Sequence, residues 1–287
     1  MKIPITVVVP TKNEEINLPQ CLEHLGDQFA NVIVADSGST DSTKQIASSF
    51  NATVLDFCWN GKFPKKRNWV LHNHTFATDW VLFLDADERV TPQFIDAVRA
   101  ALLSTKHVGF WLNFENWFMG RQLRYGDRFK KLALFRVGSG EYEKLPDDSW
   151  SKLDMEIHEH PVLHGTTGEI DAPLGHYDYR GLHHYIAKHN EYSTWEANRF
   201  LWLDDAAIDQ WKVLTKRQKF KYKNLDKWWL GVTYFFVSYF LKMGCRDGRA
   251  GWVFNRMKMR YFGDIRLKII ENRNSKAART QRDATRN

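Results

Sequence analysis

The stretch DWVLFLDADERV, residues 79–90, contains the pattern that decides the fold. Five of the six residues before Asp85 are apolar, which predicts a buried strand. That run leads directly into Asp85, Asp87 and Glu88. Three carboxylates at the end of a core strand are unusual and suggest a function for this strand end.

Short apolar runs alternate with helical patterns along the first hundred residues. This order is typical of βαβ units, and it predicts an α/β fold with a mostly parallel, Rossmann-like sheet flanked by helices. The predicted strands cover 5–10, 31–38, 52–57 and 80–86, and the predicted helices cover 15–25, 41–50, 65–74 and 91–103.

Three of the predicted strands are followed by polar, acidic segments: 11–15, 36–41 and 85–88. Ligands of such sheets bind beyond the carboxyl ends of the strands, so we expect these segments to meet at one edge. Asp41 or Ser42 is also explained as the cap of the helix that follows.

Asp85 and Asp87 flank the small Ala86 and can face one hard cation. Mg²⁺ or Mn²⁺ bound there would keep open positions for substrate phosphates. A helix cap does not explain these carboxylates, because Thr91 already precedes Pro92 in the usual arrangement of N-cap and first helical residue. Taken alone, the two aspartates would also fit a solvated turn.

The composition indicates a folded protein with a large core. The chain has 287 residues, of which 43% are hydrophobic, and we expect one domain of about 200–250 residues with an appendage. The N-terminus lacks the features of a secretory signal, so we expect a cytoplasmic protein. Cys21, Cys58 and Cys245 are odd in number and lack a CxxC pair, which predicts reduced thiols.

Charge divides the chain into an acidic body and a basic C-terminal quarter. From Lys212 onward there are 20 Lys and Arg residues against 5 Asp and Glu residues, whereas residues 1–211 carry a net charge of −8. All prolines lie at or before Pro173. The pattern therefore changes from α/β to long helices.

Four motifs together resemble the family 2 glycosyltransferases of the GT-A fold: VVVPTKNEE (7–15), VIVADSGSTDST (32–43), GKFPKKRNWVL (61–71) and LFLDADE (82–88). The resemblance implies that Asp85-Ala86-Asp87 binds a divalent metal bridging the diphosphate of a UDP-sugar. It places Glu14 and Asp36 at the uracil and ribose. The residues it implies for nucleotide-sugar binding are Pro10, Thr11, Asn13, Glu14, Asp36, Ser37, Lys66, Arg67, Asn68, Asp85 and Ala86.

A catalytic base is expected in SKLDMEIHEHPVLHG, residues 151–165. Its His158-Glu159 pair resembles a branch of family 2 similar to lipopolysaccharide-core β-glucosyltransferases. The resemblance favours Glu159 as the base, with Glu156 as the second candidate, although a polar edge strand would show the same alternation. His176 either completes the metal shell with Asp85 and Asp87 or ends a strand.

The same resemblance implies an inverting transfer to a lipid-linked or lipid A-core glycan acceptor. The QxxRW motif of processive synthases is absent, which favours the addition of a single sugar. The sequence also has no GxGxxG motif, so a dinucleotide cofactor is not expected.

Residues 224–244 have apolar groups at helical spacing. Their uncharged run, 228–241, is 14 residues long, whereas a bilayer span needs about 20. Lys227 and Lys242 flank it, which fits a helix lying on an anionic membrane at the inner face of the plasma membrane. The alternatives are a helix packed on the catalytic domain and a homodimer contact.

We therefore predict a GT-A catalytic domain at 1–210, with a nucleotide-sugar half (1–105) and an acceptor half (106–210). A basic helical region (211–272) and a disordered tail (273–287) follow. One competing hypothesis is a nucleic-acid-binding protein, in which the basic quarter contacts phosphates. Its acidic clusters would repel a polyanion, so no nucleic-acid partner is expected. The other is a catalytically inactive GT-A scaffold.

Overall fold

The computed structural model describes residues 1–146, 150, 154, 156, 161–177, 181–205, 208–212 and 214–284. The chain forms two compact units. The first, the α/β unit, comprises 1–124, 128–148 and 152–181, and the second, the helical unit, comprises 125–127, 149–151 and 182–287. The main division thus falls at 181/182, before the boundary at 210/211 that the change in charge suggests.

The α/β unit follows the predicted alternation of strands and helices in its first hundred residues. Its strands are β1 (Ile3–Thr11), β2 (Phe29–Asp36), β3 (Thr53–Asp56), β4 (Trp80–Phe83), β5 (Glu88–Arg89), β6 (Gly109–Phe118), β7 (Arg121–Leu123), β8 (Lys130–Arg136), β9 (Gly140–Tyr142), β10 (Pro161–Leu163) and β11 (Thr167–Tyr177). Its helices are α1 (Leu18–Leu25), α2 (Thr43–Ser49), α3 (Lys66–Asn73) and α4 (Pro92–Leu102).

The main sheet has the strand order β3-β2-β1-β4-β8-β6-β11-β5, with β7 paired to β6. β1 pairs in parallel with β2 and β4, β2 with β3, and β6 with β11. β8 is antiparallel to both of its neighbours, β4 and β6. The predicted α/β class with a mostly parallel sheet is confirmed.

The centre of this sheet is buried on both faces. Along β1, Val7 and Val9 belong to one apolar cluster that includes Leu18 of α1 and Phe94 of α4. Val8, on the opposite face, clusters with Val70 of α3. This alternation explains why the strand is a continuous apolar run, since helices cover both of its faces.

Two local predictions concern the starts of helices. Thr91 caps α4 as predicted, because its hydroxyl accepts a hydrogen bond from Phe94 N at 3.1 Å. Before α2, Ser42 stands at the N-cap without a side-chain cap bond. The Asp41 carboxylate accepts from Thr43 N at 3.0 Å instead.

The helical unit is built from helices and short helical turns in its described residues. These are α5 (Gly181–Asp205, of which Gly181 belongs to the α/β unit), α6 (Ile208–Lys212), α7 (Lys216–Asn224), α8 (Trp229–Phe236), a π-helical turn (Val237–Leu241), a 3-10 turn (Gly244–Asp247) and α9 (Gly248–Ala284). The tail predicted to be disordered continues α9 as far as Ala284. Among the described residues, no helix has both the length and the apolar character required to cross a bilayer.

Glycines close the turn between the π-helical segment and α9. A Cβ on Gly251 would lie 2.2 Å from the carbonyl oxygen of Gly244, and a Cβ on Gly244 would lie 2.8 Å from the carbonyl oxygen of Ser238. The two backbones therefore meet at a distance that only glycine permits. The segment CRDGRAG (245–251) thus contains the 3-10 turn and the first residues of α9.

Asp127 ties the segments of the helical unit together. Its carboxylate accepts hydrogen bonds from Lys242 Nζ at 2.7 Å and from the Arg217 guanidinium, and Tyr234 OH donates to it at 3.4 Å. Burial opposes ionisation of Asp127, but the hydrogen bond from Lys242 and the charge of Arg217 outweigh it and hold the pKa below its ordinary value. The ionised carboxylate thus stabilises the fold.

We predict that Asp127→Asn lowers the free energy of unfolding, because it removes the carboxylate to which Arg217 and Lys242 donate. The expected loss is limited to about 1–2 kcal/mol, since both partners are largely exposed. Since the folded-state pKa of Asp127 is lowered, this contribution is present above pH 3.8 and is lost as the pH falls below that value. Urea unfolding at neutral and acidic pH measures both effects. Asp264→Asn, which removes an exposed pair with Arg260, serves as the control and should cost less than about 0.5 kcal/mol. Equal losses in the two variants would contradict the assignment.

Candidate active site

The carboxyl ends of β1, β2 and β4 lie at one edge of the sheet, as the sequence predicts. Thr11, the last residue of β1, pairs with Asp36, the last residue of β2. The Thr11 hydroxyl donates to Asp36 Oδ1 at 3.2 Å. β4 ends at Phe83, three residues before the predicted end, and Leu84 N still donates to Val8 O at 3.0 Å.

Asp36 is fully buried and organises the loop that follows β2. Its carboxylate accepts hydrogen bonds from Ser39 N at 2.8 Å and from the Ser39 hydroxyl. Ser37 follows Asp36, and its hydroxyl oxygen is buried without a hydrogen-bond partner among the described residues. The Ser37 hydroxyl therefore lies at this edge with a hydrogen-bonding capacity that no described residue satisfies.

Asn13 and Glu14 link the loop after β1 to the loop after β2. Asn13 N donates to Ser39 Oγ at 2.8 Å, and Thr40 N donates to Asn13 Oδ1 at 2.8 Å. Glu14 N donates to Thr43 Oγ1 at 2.8 Å. Pro10 is buried within β1. These residues fix the relative positions of two neighbouring strand ends.

The first turn of α3 places two buried cations beside those strand ends. Lys66 Nζ donates to Thr11 O at 2.8 Å and lies 3.5 Å from Asp154 Oδ2. Burial lowers the pKa of Lys66, and the charge of Asp154 opposes that shift. Arg67, only 4% exposed, donates from Nη2 to Asp85 Oδ1 at 2.7 Å. Although burial disfavours its charge, Asp85 and other neighbours raise the pKa of Arg67.

Glu156 holds this first turn in place. One of its oxygens accepts from Arg67 N at 3.1 Å and the other from Asn68 N at 3.0 Å, while its carbonyl accepts from Arg67 Nη1 at 2.7 Å. The carboxylate thereby satisfies amides that the start of a helix leaves unpaired. Asn68 is bound on both sides to the backbone of Tyr142, at 3.0 and 2.9 Å.

Residues 85–88 form a tight turn in which each carboxylate has a different environment. Glu88 is buried and accepts from Asp85 N at 2.9 Å, which closes the turn. Burial raises the pKa of Glu88 to about 7; Lys131 opposes the shift, and Asp85 and Asp87 reinforce it. Ala86 is buried between the two aspartates.

Lys131 of β8 is a site residue that the sequence analysis missed. Its Nζ donates to Asp85 Oδ2 at 2.8 Å and to Glu88 Oε1 at 3.3 Å. With Arg67 on Oδ1, both oxygens of Asp85 are thus engaged by cations. In the sequence, Lys131 stands at the start of the apolar run in KKLALFR (130–136). That pattern does not identify it as a site residue, because its contact with Asp85 depends on the position of β8 next to β4.

Asp87 faces His176 of β11. β11 pairs with β5 so that His176 lies opposite Glu88, and His176 Nε2 is 3.5 Å from Asp87 Oδ2. Metal–ligand distances of about 2.1 Å put neighbouring ligands of one ion about 3 Å apart, so this pair fits a shared divalent cation. Among the described residues, no group of three or more His, Cys, Asp or Glu side chains is arranged around a metal position. Within the described part of the chain, Asp87 and His176 would supply two ligands, which suits an ion that also binds substrate phosphates.

The remaining predicted site residue, Glu159, and its neighbour His158 lie outside the described residues. The structure therefore brings together the residues predicted for nucleotide-sugar and metal binding, while the predicted base segment, 151–165, is described only at Asp154, Glu156 and 161–165. The arrangement that results is an acidic and basic cluster at the carboxyl edge of a parallel sheet.

Comparison with known proteins identifies the family of the chain. Residues 6–153, about half of the chain, match the model of the glycosyl transferase family 2. The lipopolysaccharide core biosynthesis glycosyltransferase LpsC of Rhizobium meliloti (strain 1021) is 26% identical over 69% of this chain and 72% of its own length. An uncharacterized glycosyltransferase of Rickettsia felis is 22% identical over 83% of this chain and 81% of its own length.

Among solved structures, glucosyl-3-phosphoglycerate synthase from Mycobacterium tuberculosis in complex with Mn²⁺ and uridine-diphosphate-glucose is 27% identical, with a TM-score of 0.30. That match covers 38% of this chain and 42% of the synthase. The family match includes all three acidic strand ends and the first turn of α3. The chain therefore belongs to glycosyltransferase family 2.

Proposed function

We propose that this protein transfers one sugar from a UDP-sugar to a hydroxyl of a lipid-linked or lipopolysaccharide-core acceptor, with inversion at the anomeric carbon. The observation that supports it most is the cluster of Asp85, Asp87, His176, Arg67 and Lys131 at the edge of the sheet. It combines anionic ligands for a cation with cationic donors for a diphosphate.

Asp87 and His176 would hold Mg²⁺ or Mn²⁺. When bound, the cation would neutralise charge on the departing diphosphate. Arg67 and Lys131 can exchange their bonds to Asp85 for bonds to phosphate oxygens, since both already point to this place. The fixed position of Arg67, anchored through Glu156, means that little reorganisation is needed.

We predict that UDP raises the apparent melting temperature by several degrees with Mn²⁺ but not with EDTA, because a ligand of the folded state stabilises it by mass action. GDP and dTDP should give smaller shifts. Asp87→Asn removes a metal ligand and should abolish the metal-dependent shift and reduce transfer at least about 100-fold. Glu23→Gln, an exposed change on α1, is the matched control. An unchanged UDP and Mn²⁺ response in Asp87→Asn would contradict the metal assignment.

The base is proposed to be Glu159, on the resemblance of His158-Glu159 to its branch of the family. Glu156, the other candidate, uses both carboxylate oxygens to cap α3 and is 4% exposed. A carboxylate bound in this way is poorly placed to accept a proton from an acceptor, which supports Glu159.

We predict that the two glutamates respond differently to the same change. Glu159→Gln should lower the transfer rate by about 100-fold or more and leave UDP binding intact, because the loss falls on proton transfer. Glu156→Gln should lower the melting temperature and weaken UDP binding, because it disturbs α3 and Arg67. Transfer kinetics, UDP titration and thermal unfolding separate the two patterns. Full transfer by Glu159→Gln would exclude Glu159 as the base. Absence of transfer in the native protein as well as in every variant would favour a catalytically inactive scaffold.

We further propose that the helical unit associates with an anionic membrane at the inner face of the plasma membrane. Trp228, Val232, Phe236 and Phe240 are spaced four residues apart and are 72, 38, 56 and 48% exposed. Exposed basic residues lie close to this face in sequence: Lys227, Arg246, Arg249 and Arg256. Apolar and basic side chains together are the chemistry of a helix at the headgroup boundary.

We predict that replacing both Phe236 and Phe240 by Ser reduces binding to vesicles that contain phosphatidylglycerol by at least about tenfold, since each buried phenylalanine contributes about 1.5–3 kcal/mol. Co-sedimentation measures the loss. Leu103→Ser, which changes an apolar side chain that is 86% exposed in the α/β unit, is the control. Unchanged vesicle binding would contradict the proposal, and a loss of self-association instead would identify the face as a homodimer contact.

A further inference from the structure

The end of β3 adds a fourth strand end to the edge of the sheet that carries the candidate site. β3 pairs in parallel with β2, and its last residue, Asp56, lies opposite Asp36. The next amide, Phe57 N, donates to Asp36 O at 2.8 Å. Lys44 Nζ lies 2.6 Å from Asp56 Oδ1 and 3.9 Å from Asp36 Oδ2. The residues that follow Phe57 therefore start next to Asp36.

The segment 58–64 connects β3 to α3 and is fixed at its start and at its centre. Phe57 is 3% exposed, and its ring packs against Trp69 of α3 with the centroids 5.3 Å apart. Within the segment, Lys62 N donates to Asn60 Oδ1 at 3.0 Å, which closes a short turn. The path of the chain between the two elements is thus defined by specific contacts.

Trp59 is held in one orientation within this segment. Its Nε1 donates to Lys62 O at 2.8 Å. Lys65, which is 4% exposed, places its Nζ over the indole ring, 5.9 Å from the ring centroid. The Trp59 side chain is half-buried, so part of its surface remains in contact with solvent. The ring is therefore preorganised and still accessible to a ligand.

The indole lies within reach of a nucleoside held at Asp36. Trp59 is two residues beyond Phe57, and two residues of chain span at most about 7 Å. The cation over the indole, Lys65, precedes Lys66, which donates to the carbonyl oxygen of the last residue of β1 at 2.8 Å. The ring is thus linked to the ends of both β1 and β2, where the uracil and ribose are expected.

An aromatic side chain at this position suits the flat face of a nucleobase. Stacking on an aromatic ring contributes about 5- to 100-fold to the affinity for a base. It depends little on which base is bound, because every base has a π face. Binding sites for small molecules generally combine such rings with a few polar groups that fix the orientation of the ligand.

We propose that Trp59 is a nucleobase-binding residue, whose indole stacks on the base of the sugar nucleotide. This role rests on the proposed function, because it takes a nucleotide as the ligand of this edge. Trp59 strengthens binding of the nucleoside part of the donor and contributes nothing to binding of the diphosphate. The selection of uracil over other bases then depends on the polar groups of the loops after β1 and β2.

The test uses the full chain with Mn²⁺ and titrates two diphosphates by calorimetry: UDP, and methyl diphosphate, in which a methyl group replaces the nucleoside. Trp59→Leu should weaken binding of UDP at least about tenfold and leave that of methyl diphosphate unchanged, since only UDP carries a base. Trp59→Phe keeps a ring and should retain most of the affinity for UDP. Trp252→Leu, the same change at a tryptophan of the helical unit that is 41% exposed, should retain all of it.

The comparison of the two ligands separates stacking from a structural role. If Trp59 only packs the segment against Lys65, its replacement disturbs the start of α3 and with it Arg67. Both diphosphates would then lose affinity by the same factor, and that result would overturn the proposal. Unchanged affinity for UDP in Trp59→Leu would overturn it as well.

A second nucleotide tests the kind of contact that Trp59 makes. Stacking predicts that Trp59→Leu weakens binding of GDP by about the same factor as binding of UDP, although GDP binds less tightly to begin with. A loss that is confined to UDP would indicate a contact with the edge of uracil and would overturn stacking.

The native protein and Asp87→Asn distinguish failure of this proposal from failure of the proposed function. Asp87→Asn should weaken binding of both diphosphates alike, because the cation contacts the part that they share. Native protein that binds UDP no more tightly than methyl diphosphate would refute the role of Trp59 and leave the diphosphate site standing. Native protein that binds neither would refute the proposed function, and the role of Trp59 with it.

Discussion

The buried guanidinium of Arg67 sets the arrangement of the residues around the candidate site. A charge that is 4% exposed costs several kcal/mol unless carboxylates and carbonyls surround it. Asp85 supplies a carboxylate and Glu156 a carbonyl, at 2.7 Å each. The same contacts fix α3 against the end of β4 and so bring residues 67, 85 and 156 together. The acidic strand end is explained by the need to balance a buried charge as well as by any ligand.

The sequence predicts this part of the molecule well where the signal is local. Short apolar runs identify β1, β2, β3 and β4, which are four to nine residues long, and the polar residues after them identify the edge of the sheet. Thr91 and Pro92 identify the start of α4. Parallel strands that follow one another must end at the same side, so local patterns were enough to predict that the acidic segments meet.

Local sequence patterns could not predict contacts between residues that are far apart in the chain. Lys131 belongs to the site because β8 inserts between β4 and β6, and no periodicity reports that position. Glu156 caps α3 through Arg67 N, which lies 89 residues earlier in the chain, and no local pattern predicts that contact. From the sequence alone, its acidic side chain was therefore interpreted as a candidate base. In the helical unit, a π-helical turn and a 3-10 turn interrupt the helix predicted for 224–244, because the chain must reverse at Gly244 to meet α9.

The pairing of Asp85 with Arg67 and Lys131 has a consequence for the order in which ligands bind. Before any ligand arrives, two cations already compensate the charge of this carboxylate. A lone dication therefore meets less negative potential here than the three acidic residues in the sequence suggest. In the proposed reaction, a diphosphate bound by Arg67 and Lys131 would release Asp85 and so restore the negative potential at this edge of the sheet. Binding of the nucleotide would therefore strengthen the attraction of the site for a divalent cation.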